Sequence, residues 1–75
     1  MDTGERIEAW CEAKGVTFED VANAAGVTVA AVYQWVGTGK SKTKPALRHL
    51  ESVVKFLKLT MEEFYGPIPK SKRAS

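Results

Sequence analysis

The sequence predicts an all-α fold, a compact bundle of five short helices, and three observations carry that prediction. Apolar residues recur at i, i+3 and i+4 along most of the chain. Threonines stand where helices should begin, at Thr3, Thr17, Thr28 and Thr60, and glycines where they should end, at Gly15, Gly26, Gly37 and Gly66. No stretch of useful length alternates with period 2. The run Val27 to Val32 is rich in β-branched residues, but its flanking cap and its spacing to Trp35 favour helix.

Taken in order, Thr3 caps a first helix whose apolar stripe is Ile7, Trp10 and Cys11, and Gly15 closes it. Thr17 opens the second, with Asp20 three residues on as a weaker form of the capping box. Phe18, Val21, Ala22 and Ala25 line one face, and Gly26 breaks the helix. Thr28 caps the third, whose inward stripe is Val29, Val32, Trp35 and Val36. A polar loop follows, Lys40-Ser41-Lys42-Thr43-Lys44, with a cation at every second position. Pro45 suits the first turn of a fourth helix, where its missing N–H costs nothing. Leu47, Leu50, Val54 and Leu57 are its expected core face. Phe56 falls roughly 100° or more off that stripe, as a second contact surface or an exposed ring. Thr60-Met61-Glu62-Glu63 is a full capping box for a fifth helix, ended by Gly66-Pro67. Residues 1–66 read as one domain and 67–75 as a flexible basic tail, with Ile68-Pro69 able to pack back onto the body.

The formal net charge of +2 conceals an asymmetry. Residues 1–20 carry six acids against Arg6 and Lys14, a net −4, whereas residues 38–58 carry six cations against Glu51, a net +5. Lys70, Lys72 and Arg73 extend the basic part, and a basic face points to a polyanionic partner. Cys11 is the only cysteine, so the chain has no internal disulfide, which suits a reducing compartment. No Cys/His cluster has zinc-ligand spacing, and neither a metal nor another cofactor is expected. The acidic N-terminus does not read as a signal peptide, and no apolar run approaches the ~20 residues of a membrane span. A cytoplasmic protein without membrane contact is the expectation. His49 and Cys11 stand without an acid–base or nucleophile partner, which argues against an enzyme.

Residues 17–36 are the most informative stretch. Two tightly joined helices need a small residue where they touch, a glycine in the turn, and apolar anchors beneath the second helix. Ala22, Gly26, Val27, Val32 and Trp35 meet those needs in order, which predicts a helix-turn-helix. Trp10 and Trp35 lie on apolar stripes and are expected in the core. Phe56, Phe64 and Tyr65 divide between completing the core and forming a dimer contact.

At these residues the chain resembles a family. Residues 6–66 are similar to the repressor/Cro-type, Xre-like helix-turn-helix domains of phages and bacteria. The likeness rests on Thr17-Phe18-Glu19-Asp20-Val21-Ala22, Gly26-Val27-Thr28, Val32 and Trp35. It continues through Gly39-Lys40-Ser41-Lys42-Thr43-Lys44-Pro45 and Leu59-Thr60-Met61-Glu62-Glu63-Phe64-Tyr65-Gly66. The resemblance implies a lambda-repressor-like fold and a homodimer on a partly palindromic operator in double-stranded DNA. It also implies roles for individual residues. Thr17 and Thr28, at the helix starts, meet the DNA backbone. Val29 and Ala30 face base edges, Tyr33 and Gln34 follow on the same face, and Lys40, Ser41, Lys42 and Lys44 grip phosphates.

Two features depart from the family pattern: Phe18 stands where the family often has glutamine, and the loop between Trp35 and Pro45 is longer than usual. The side-chain chemistry fits the implied roles. Gln34 can pair with adenine N6 and N7, Val29 and Ala30 offer only apolar contact to thymine methyls, and Tyr33 can reach a phosphate or a sugar. With so few donors, DNA shape would carry part of the specificity and the lysines much of the affinity. The expected function is a sequence-specific transcriptional regulator of phage or mobile-element origin. The alternative is an antitoxin or protein-interaction module of the same fold.

Overall fold

In the computed structural model, which describes residues 3–37 and 43–69, the chain forms five helices and no strand among the described residues. They are α1 (Thr3–Lys14), α2 (Phe18–Ala25), α3 (Val29–Val36), α4 (Leu47–Phe56) and α5 (Met61–Phe64). Lys40, Ser41, Lys42 and the basic tail 70–75 lie outside the described residues.

Local chemistry sets most of the boundaries. Thr17 Oγ1 accepts from the Asp20 N–H at 3.1 Å while Asp20 Oδ2 accepts from the Thr17 N–H at 3.1 Å, so both halves of the capping box form. Thr60 and Glu63 repeat it at α5, at 2.9 and 3.0 Å. Thr28 Oγ1 accepts from Ala31 N–H at 3.3 Å. Gly26 ends α2 with φ 72°, and the next N–H, of Val27, reaches back to the Ala22 carbonyl at 3.0 Å. The α4 end uses the same reach, Leu59 N–H to the Val54 carbonyl at 3.0 Å, but the left-handed residue there is Lys58, at φ 60°.

The core draws on every helix. Ile7, Trp10, Cys11 and Ala13 of α1 meet Val21, Ala22 and Ala25 of α2, Val32, Trp35 and Val36 of α3, Leu50, Val53 and Val54 of α4, then Leu57 and Phe64. Helix α2 packs on α3 and α4, α1 on α3, and α4 on α5. Val27 plugs the α2–α3 corner half-buried, and Ile68 returns to the core as expected.

Several expectations need correction. Leu47 is 65% exposed rather than buried. It has the helical phase of Val54, but it lies in the first turn of α4. The buried stripe is Leu50, Val53, Val54 and Leu57, which has the i, i+3, i+4, i+7 spacing of a core face. Pro45 does not enter α4, because the backbone is still extended at Ala46, the N-cap residue. Thr3 is the first residue of α1, not a cap before it. Phe64 is 0% exposed and completes the core, whereas Phe56 and Tyr65 remain on the surface at 37% and 48%.

Two contacts that sequence reasoning missed hold the ends of the bundle together. The Arg6 guanidinium donates to the carbonyls of Phe64 at 3.1 Å and Gly66 at 2.9 Å, and lies 5.6 Å from the Tyr65 ring centroid. Trp10 Nε1 donates to the same Phe64 carbonyl at 3.0 Å. A helix as short as α5 is not stable alone, and a cation on its C-terminal carbonyls compensates both their unmet hydrogen bonds and the helix dipole. Two residues before Arg6, Gly4 lies against the backbone of α3, where an added Cβ would overlap the Trp35 carbonyl and fall 3.1 Å from Val36 Cα.

Candidate functional site

Helix α3 positions the residues singled out from the sequence. Val32, Trp35 and Val36 anchor it from beneath, and Ala30, Tyr33 and Gln34 are exposed on the far side. Val29 differs: it is half-buried and packs against the core at the flank, consistent with its place on the inward stripe and leaving it little surface for a base edge. Tyr33 is 44% exposed, with its ring edge-to-face with Phe18 at 5.4 Å and 81°. Phe18 thus braces the aromatic member of the exposed face. Thr17 and Thr28 are exposed, and their Oγ1 atoms accept the capping N–H groups. Each hydroxyl proton can still be donated outward.

The C-terminal half of α3 is tied to the chain that follows the basic loop. Thr43 N–H donates to the Gln34 carbonyl at 3.1 Å, meeting one of the unmet carbonyls of the last turn. The His49 ring stacks on Trp35 at 6.0 Å and 28°. These two contacts set the segment 43–49, with exposed Lys44 and Arg48, beside the end of α3. Arg48 was not among the residues expected at the site. The signal for it was its place four residues after Lys44 in a segment already read as basic.

The N-terminal half has the opposite character. An open groove of about 380 Å³ is lined by Glu8 and Glu12 of α1, Val16, Thr17, Phe18 and Glu19, and Val29 and Tyr33 of α3. Carboxylates of α1 and α2 therefore share one cleft with three of the expected contact residues, Thr17, Val29 and Tyr33. The Cys11 thiol registers two of these charges and a neighbour: burial first, then Glu8, Asp20 and Glu12, push it from its ordinary 9.0 up to about 12. It stays protonated at neutral pH and behaves as a small core residue.

The arrangement thus brings together Thr17, Val29 and Tyr33 around an acid-lined groove, and Gln34 and Lys44 at a basic end, with Ala30 exposed on α3. Among the described residues no group of His, Cys, Asp or Glu could hold a metal ion, and no helix is long and apolar enough to cross a membrane. No family model, curated protein or solved structure matches the chain.

Proposed function

We propose that this chain is a sequence-specific binder of double-stranded DNA, a transcriptional regulator of the repressor/Cro type acting as a homodimer. In this reading α2 and α3 form a helix-turn-helix and α3 enters the major groove. One observation carries it. Helix α3 is anchored on one side by Val32, Trp35 and Val36 and presents Ala30, Tyr33 and Gln34 on the other, with Lys44 held beside its end by the Thr43–Gln34 bond. An α-helix with its side chains is about 10–12 Å across, which suits a major groove about 12 Å wide. Gln34 is the base reader, Tyr33 and Thr28 meet the DNA backbone, and Lys44 with the loop cations Lys40 and Lys42 supplies affinity without sequence choice. Phe56 and Tyr65, the exposed rings, are the contacts we assign to the dimer.

Selection of binding sites from random duplexes with the purified protein tests this reading. The expected product is a motif of two related half-sites about 10 bp apart, centre to centre. Gln34→Ala should lose preference at one base position in each half-site, a discrimination of about 1–3 kcal/mol. An unchanged motif from that variant would remove Gln34 from the role, and no enriched motif at all would remove the reading.

The acid-lined groove favours a second reading, a protein-interaction module that accepts a cationic segment of a partner. Binding to a Lys/Arg-rich peptide, together with no salt-dependent binding to any duplex, would favour it.

A further inference from the structure

We infer that Glu8, Glu12 and Glu19 are negative determinants of the DNA site, weakening the hold on phosphates near the N-terminal end of α3, where Thr28 sits, so that the main grip on the DNA backbone falls at the Gln34–Lys44 end. The inference rests on the DNA-binding reading and adds a polarity to it. Its basis is the groove that Glu8, Glu12 and Glu19 share with Val29 and Tyr33, set against Lys44 and Arg48 beside the opposite end of the same helix. A duplex presents phosphates along its full length, so a helix in the major groove ordinarily meets them at both of its ends. Here one end offers cations. The other offers carboxylates. Repulsion of this kind is sequence-independent. It restrains affinity for every duplex and disfavours any docking pose that leans α3 towards its N-terminus.

Glu8→Gln and Glu19→Gln keep side-chain size and remove one charge each. Glu62→Gln, on α5 outside the groove, makes the same change in net charge. Binding of all three and of the unsubstituted protein to one selected duplex, and to one unrelated duplex, is measured by anisotropy at low and at near-physiological salt, with thermal unfolding as the check on folding. A charge about 10 Å from a phosphate in water changes affinity by about 2-fold at low salt, and less as salt rises. The expected result is that Glu8→Gln and Glu19→Gln each tighten binding to both duplexes by about that factor relative to Glu62→Gln, with the gain shrinking at higher salt. Equal affinities for the groove variants and Glu62→Gln would overturn the inference while leaving the DNA-binding reading in place. Binding by none of the four proteins would overturn both.

Discussion

Lys58 carries a backbone conformation that its side chain opposes. At φ 60° its Cβ crowds the following carbonyl, a cost of about 1 kcal/mol that glycine avoids. Nothing in α4 needs a lysine there, because the closing bond from Leu59 N–H to the Val54 carbonyl is made by backbone alone. Lys58→Gly should therefore stabilise the fold by up to about 1 kcal/mol, visible as a rise of several degrees in Tm. The prediction fails if Tm is unchanged or falls. Cys11 gives a second test on a single side chain. Above pH 9.0 the unfolded chain releases the thiol proton, and the folded chain keeps it until about 12. The folded state then binds more protons than the unfolded one, so this group makes stability fall as pH rises through that window. Urea titrations from pH 8 to 11 should show the decline, and Cys11→Ala should reduce it; an equal decline in the variant would reject the assignment. The thiol should also resist alkylation at neutral pH until the protein unfolds.

At the level of helices, the junction of α1 and α3 is the most constrained. Gly4 permits backbone-to-backbone contact with Trp35 and Val36, where no flexible side chain can yield. Overpacking in a well-packed site costs about 1–3 kcal/mol, and a rigid obstacle places Gly4→Ala at or above the top of that range. Tm should drop by roughly 10 °C or more for a domain of this size. A substituted protein with unchanged Tm would show that α1 can slide on α3 without penalty. Nothing in the sequence distinguished Gly4 from a helix-weakening glycine, because the reason for it lies 31 residues away at Trp35. The capping boxes at Thr17 and Thr60 and the left-handed close at Gly26 were legible, since each is chemistry among residues a few positions apart. Leu47 was misread for the complementary reason. Helical phase can be counted along a sequence, but whether a neighbouring helix extends far enough to cover the first turn of α4 cannot.

Charge acts at the scale of the whole molecule. The described body is 30 Å in its longest dimension, about three times the Debye length at ordinary ionic strength. A partner therefore senses the acidic and basic parts separately, and the net charge of +2 is a poor guide to what it meets. On the DNA-binding reading, Lys44→Ala should weaken binding to all sequences alike and reduce the slope of log K against log salt by about 1, because one fewer phosphate is neutralised. A change of motif with an unchanged slope would instead make Lys44 a base reader. Division of the charges between two ends of one helix was only half visible beforehand. The acidic start and basic middle of the chain stood out in the sequence, but the meeting of Glu8, Glu12 and Glu19 in one groove with Val29 and Tyr33 did not.

The sequence by itself determined that the chain is helical, where α2, α3 and α5 begin and which residues anchor α3. Those features follow from bonds and contacts that span one or two helical turns. Tertiary structure alone decided that Phe64 belongs to the core and that Arg6 and Trp10 secure α5. It also decided that the two ends of α3 carry opposite charge. The physical reason is the same in each case: burial and electrostatic potential depend on which surfaces meet, and those surfaces belong to residues tens of positions apart.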